Sequence, residues 1–155
     1  YKMNKQKCDA LKANAKDICV KEAKGAEDVA KAELEAQYKP SAKASQKVAE
    51  ARADAAYAVA KEKCDDLTGN AKDVCVKDAK AEHVKAKENA KVAAAQAKPA
   101  DTAAEKAANV AEARKDATAE KNEANYKAAK ERCDAMSGDL KSKCVDDAKR
   151  MYGQS

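Results

Sequence analysis

Six cysteines recur in this chain at a fixed interval, and that interval limits what the chain can fold into. Cys8 and Cys19, Cys64 and Cys75, and Cys133 and Cys144 are each eleven residues apart, with Tyr1, Tyr57 and Tyr126 seven residues before the first cysteine of each pair. Asp9, Asp65 and Asp134 follow the first cysteine, and Val-x-x-Ala-Lys follows the second at 20–24, 76–80 and 145–149. The chain is therefore an internal repeat, and its fold must be built from three related units. On one straight helix, cysteines eleven apart would share a face but stand roughly 16 Å apart along the axis. A disulfide needs Cα atoms about 4.4 to 6.8 Å apart, so pairing within a unit requires the chain to reverse between its cysteines.

The midpoints supply that reversal. They are Ala13-Asn14, Gly69-Asn70 and Gly138-Asp139, and Gly and Asn are the residues that most readily reach the left-handed conformation ending a helix. Each unit reads as a helical hairpin turning at Asn14, at Gly69 and Asn70, or at Gly138 and Asp139, with its cysteines as a clasp and the first unit holding the weakest turn. The competing reading is free buried thiols or metal ligands. Zinc sites have closely spaced Cys or Cys/His sets, whereas here no two cysteines are near neighbours and His83 is the only histidine. Regular spacing instead fits a disulfide framework in a periplasmic or secreted protein.

Composition decides how such hairpins pack. The chain is 45% hydrophobic but only 3% aromatic, without Trp or Phe, so alanine carries most of its apolar character. Large aliphatic residues fall below the roughly 20% at which disorder is suspected, while Ala, Lys and Glu dominate as in long helices and coiled coils. Local propensity favours helix almost everywhere. Burial is the weaker term, because an alanine removes little area from water at about 25 cal/mol per Å², so close backbone approach and covalent staples must compensate.

Two prolines mark the other reversals. Ser41 after Pro40 can cap a helix, and Thr102 with Glu105 after Pro99 forms a capping box. Six helices are predicted, at 2–12, 15–38, 42–67, 71–97, 102–136 and 140–152, within one helical domain spanning 1–155 and repeat units at 1–40, 57–99 and 126–152. Apolar seams run through Ala49, Ala53, Ala56, Ala60, Cys64 and Leu67, and through Cys19, Ala23, Ala26, Ala30 and Leu34. Val-Ala-Glu-Ala-Arg lies nine residues before Tyr57 at 48–52 but sixteen before Tyr126 at 110–114, a seven-residue insertion that keeps the packing face nearly in phase. The fifth helix is therefore expected to run roughly 15 Å past the end of the fourth, with the last helix as its cover. The expected fold is all-α: an elongated, staggered antiparallel bundle of three disulfide-clasped hairpins.

No catalytic constellation emerges, and no enzyme activity, cofactor or metal is expected. His83 lies in a highly charged run, and Asp65-Asp66 and Asp146-Asp147 lack the oxygen-rich loop that calcium requires. The net charge of +5 is spread over both signs along every segment, whereas a nucleic-acid binder concentrates cations on one face with aromatics to stack on bases. Apolar faces poor in Leu, Phe and Trp make membrane-surface contact weak. No run approaches the roughly 20 apolar residues of a membrane span. A chain beginning at Tyr1 fits a mature protein from which a secretory peptide has been removed. Tyr1, Tyr57 and Tyr126 are candidate contact residues, either packing beside the clasps or meeting a ligand or partner.

The motif Tyr-x-x-Ala-Lys-Glu-x-Cys-Asp, followed by Gly-Asn-Ala-Lys-Asp-x-Cys-Val-x-x-Ala-Lys, is best formed at 57–80 and 126–149. It resembles a group of Ala/Lys-rich cysteine-repeat proteins of β-proteobacteria, labelled hypothetical or TolA-like cell-envelope proteins. The resemblance covers nearly the whole chain, with Asn4-Lys5-Gln6 replacing Ala-Lys-Glu in the first unit. It implies a periplasmic or secreted location and no particular activity. A weaker similarity, through runs such as 103–113, is to late-embryogenesis-abundant stress proteins, which usually lack disulfides. The expected function is a structural or protective cell-envelope protein. Alternatives are a subunit of an extracellular filament or assembly, with protein partners or self-association, and a carrier of a small apolar ligand or metal between helices.

Overall fold

Alanine, lysine and glutamate favour helix at nearly every position, and chain reversals occur where other residues intervene. The computed structural model describes residues 2–154. Its helices are α1 (Lys2–Cys8), α2 (Ala13–Tyr38), α3 (Ala42–Cys64), α4 (Gly69–Ala97), α5 (Ala103–Cys133) and α6 (Gly138–Met151). The fold is all-α, without a strand among the described residues. None of these helices is long and apolar enough to cross a membrane. At the proline reversals Ser41 Oγ accepts from the Ala44 N–H at 2.9 Å as expected, and of the capping box the Thr102 half forms, its Oγ1 accepting from the Glu105 N–H at 3.0 Å.

The cysteine reversals depart from the predicted turns. The first helix of each hairpin stops at its cysteine rather than continuing to 12, 67 or 136. There the backbone tightens into three-residue hydrogen bonds, with the N–H of Leu11, Leu67 and Met136 donating to the carbonyls of Cys8, Cys64 and Cys133 at 3.0 Å each. Lys12, Thr68 and Ser137 are then extended, and Ala13, Gly69 and Gly138 take φ of 51°, 61° and 60° as the next helix begins. The reversals are thus residues 9–12, 65–68 and 134–137. Gly69 and Gly138 supply the left-handed step, while Asn14, Asn70 and Asp139 sit inside the first turn of the following helix. Each clasp is consequently asymmetric, joining the last residue of one helix to the second turn of the next.

All three disulfides form, with Cα separations of 5.5 Å for Cys8–Cys19 and 5.7 Å for Cys64–Cys75 and Cys133–Cys144. Among the described residues, each helix packs only against its neighbours in the chain: α1 on α2, α2 on α3, α3 on α4, α4 on α5 and α5 on α6. The bundle is therefore an open antiparallel row. Its core is thin, made of Ala23, Ala53, Ala81, Ala90, Ala117, Ala124, Ala128 and Ala148 with one buried cysteine per clasp. Close approach replaces bulk, most tightly at Gly25, where a Cβ would stand 2.7 Å from the Ala55 Cβ. The predicted seams are buried only in part. Ala23, Ala53 and Cys64 are covered, but Ala26, Ala30, Leu34, Ala56 and Leu67 are exposed because the row leaves two faces of every helix in solvent.

The stagger lies at the end opposite to the one expected. Lys121 Nζ donates to Asn89 Oδ1 at 2.6 Å, and Arg132 pairs with Asp78, so these positions are level across α4 and α5. Eight residues on from Asn89 is Ala97, the end of α4, and it stands opposite 113, eight before Lys121. Residues 103–112 therefore overhang the unclasped end by roughly 15 Å, exposed except for the half-buried Val110. At the other end Cys133 stands beside α4 near Asp78, level with the second clasp. The seven-residue insertion has kept the clasps aligned and lengthened α5 downward. The last helix covers α5 at the clasped end, not the overhang.

Candidate functional site

Three hairpin tips stand in a row at the clasped end, built alike from the repeated residues. The aspartate after each first cysteine pairs with the lysine seven residues on: Asp9 with Lys16 at 3.3 Å, Asp65 with Lys72 at 3.3 Å and Asp134 with Lys141 at 3.2 Å. These pairs are solvated, so each contributes at most about 1 kcal/mol and chiefly fixes the shape of the turn. Cys8, Cys64 and Cys133 are fully buried beneath them. Each tip carries an exposed apolar side chain three residues after the cysteine, Leu11 (42% exposed), Leu67 (42%) and Met136 (48%). This apolar series was legible in the repeat but is not among the predicted contact residues.

Lateral ties hold the tips together. Asn14, predicted as a turn residue, donates from Nδ2 to the Glu62 carbonyl at 2.9 Å, linking the first turn of α2 to the last turn of α3. On the other side Arg132 of α5 pairs with Asp78 of α4. The second hairpin is thereby tied to both neighbours beside its own clasp.

The predicted tyrosine series is not brought into one site. Tyr57 lies on α3 and the half-buried Tyr126 on α5, with α4 between them, and Tyr1 lies outside the described residues. Tyr57 has the more developed surroundings. Its ring stacks on His83 of α4 with centroids 4.6 Å apart and planes inclined by 19°, and Lys80 Nζ lies 5.5 Å from the ring centroid. His83 Nε2 is 2.6 Å from Asp54 Oδ1, and the side chain is only 10% exposed. In the sequence His83 lies in a highly charged run. Asp54 is 29 residues away, so only the α3–α4 packing brings the two together.

Below the second clasp these groups flank a groove of about 430 Å³, walled by Ala53, Ala56, Ala60 and Ala79, with the disulfide at one end and Asp78, Glu82 and His83 as polar lining. A groove of about 410 Å³ lies in the corresponding place below the third clasp, with Ala129, Asp147, Ala148, Met151 and Tyr152 where the second unit has Ala60, Asp78, Ala79, Glu82 and His83. The repeat has thus built one concavity twice, with different polar lining. His83 and Asp54 form a close polar pair beside the groove, but among the described residues no serine, threonine or free thiol lines it. No group of three or more metal-ligating side chains converges among them either. Away from the grooves, the buried Glu88 accepts from Lys91 Nζ at 2.7 Å, and this bond holds the Lys91 pKa above its ordinary value. No protein-family model, curated protein or solved structure matches the chain.

Proposed function

We propose that the protein is a non-catalytic structural or protective component of the cell envelope, working in the periplasm or after secretion. The observation that carries this reading is the row itself, with helices laid side by side in chain order and three disulfides aligned at one end. Such a row exposes much more surface than a closed bundle of the same length. It suits a spacer or shield that lies along other macromolecules. Disulfides persist in oxidising compartments, and a core made largely of alanine relies on them.

Thiol trapping in the native host tests the compartment. Alkylation of intact cells before and after reduction should find all six cysteines protected until reductant is added. Six freely alkylated cysteines would overturn the envelope reading. Deletion of the gene should impair envelope integrity or stress survival, and normal values under detergent, osmotic and oxidative challenge would remove the protective role.

A second reading, a subunit of an assembly, is favoured by Leu11, Leu67 and Met136 spaced along the clasped end. Hairpins two helices apart repeat at roughly 16 to 20 Å, which gives a partner three regularly spaced apolar contacts. Sedimentation of the wild type and of Leu67→Ser decides: assembly that disappears in the variant supports it, and a monomer at all concentrations dismisses it.

A further inference from the structure

The α3–α4 groove has the size and lining of a small-molecule site. Pockets of roughly 300 to 1,000 Å³ with apolar walls and a few converging polar groups are typical of ligand binding, and this open groove offers about 430 Å³. Its walls are alanine methyl groups, so a flat apolar body can enter without displacing a large side chain. The sign of charge on its lining differs from that of the chain. Lysine and arginine outnumber acidic residues by 32 to 27 overall, yet the charged residues lining the groove are Asp78 and Glu82, with no lysine or arginine among them. Asp78 is paired with Arg132, and Lys80 Nζ lies 5.5 Å from the Tyr57 ring centroid, while Glu82 is exposed and has no ion pair among the described residues.

His83 adds a second polar feature. Its Nε2 lies 2.6 Å from Asp54 Oδ1, and its Nδ1 is buried without a hydrogen-bond partner among the described residues. A buried ring nitrogen left unpaired is costly. The unpaired Glu82 carboxylate selects a positively charged donor group. We propose that the α3–α4 groove binds small aromatic amines, the ring lying along the alanine wall beside Tyr57 and His83 and the ammonium group meeting Glu82.

The third unit provides an internal contrast. Its matching groove has Met151 in place of Glu82, includes Lys143 in its lining, and engages Asp147 with Arg150. It has the same framework without the selectivity for a cation.

The experiment uses the full chain and its single histidine, whose imidazole resonances report on the α3–α4 groove alone. Phenethylammonium, 2-phenylethanol and phenylacetate are titrated separately at neutral pH. The ammonium probe should move the His83 signals saturably with a Kd of about 1 mM or tighter, the alcohol more weakly and the carboxylate least. Glu82→Gln should weaken the ammonium probe by about threefold while leaving the alcohol unchanged, the effect of losing one solvated ion pair. Ala56→Leu, at an exposed wall position where leucine keeps helix propensity, should abolish the response by filling the groove. Unmoved His83 signals up to about 10 mM probe would overturn the proposal, as would equal responses to all three probes. A response that survives Ala56→Leu, with circular dichroism unchanged, would place binding elsewhere and have the same consequence.

Discussion

Removing one clasp at a time should have effects that depend on its place in the row. Cys64→Ala with Cys75→Ala opens a loop of about a dozen residues, for which chain-entropy models give roughly 3 kcal/mol. Little packing is lost beyond the one buried sulfur, so the change acts mainly on the unfolded chain and on the α3–α4 interface. Cys8→Ala with Cys19→Ala removes a loop of the same length, but α1 has seven residues and packs only on α2. An isolated helix that short is not stable in water, so α1 should fray while the rest of the row stands. Native-state amide exchange read residue by residue separates the two cases. The terminal variant should lose protection in α1 and the first turns of α2, with α4 and α5 unchanged to within about 0.5 kcal/mol. The central variant should lower protection in α3 and α4 together, by up to about 3 kcal/mol. Equal loss across all six helices in the terminal variant would refute the nearest-neighbour argument, because it would require coupling between helices that do not touch.

Other substitutions test the backbone and the one buried carboxylate. Ala13→Gly should stabilise the first hairpin by about 0.5 to 1 kcal/mol in a thermal melt, since relief of left-handed strain at φ 51° exceeds the added freedom of the unfolded chain; Gly69→Ala, with open space around its Cα, should cost about 1 kcal/mol through φ alone. Gly25→Ala should destabilise by about 1 to 2 kcal/mol despite alanine's better propensity, because its methyl would meet Ala55, and Ala55→Gly in the same chain should recover part of the loss. Bonding to Glu88 raises the Lys91 pKa from its ordinary value of 10.5, so this pair's contribution is complete below about pH 10.5 and is lost as pH rises through the higher folded value. Glu88→Gln should flatten that alkaline decline in melting temperature, and an unchanged slope would assign the decline to other lysines.

The hairpins were legible because a disulfide imposes a distance and the Cys-to-Cys interval a contour length, so reversal followed without knowledge of packing. Ser41 and Thr102 were legible for a similar reason, since a cap is local chemistry next to a proline. The helix ends at Cys8, Cys64 and Cys133 were not, because three-residue hydrogen bonds compete with α-helical ones by small energies that propensity does not resolve. The direction of the α5 overhang was also hidden. A heptad insertion preserves the packing face whichever way the helix grows, and the choice depends on Lys121 meeting Asn89 and Arg132 meeting Asp78 across α4 and α5. The surroundings of His83 are likewise hidden in the sequence, because its partners Asp54 and Tyr57 lie on another helix.

The alignment of the clasps and the poverty of the core have related consequences. An alanine stripe binds a neighbouring helix only weakly per unit length, so a long row of such helices needs a constraint at one end to fix its register. The disulfides provide it where Asn14 and Arg132 tie the central hairpin to its neighbours. Toward the proline turns the helices are held by alanine contacts and exposed polar pairs such as Arg52–Glu33 and Lys47–Glu35, without a covalent tie, and α5 continues past α4 without a covering neighbour. Stability must therefore fall from the clasped end to the open end along every helix. A partner that inserts between helices would meet least resistance at the open end, whereas one that recognises fixed geometry would find it at Leu11, Leu67 and Met136.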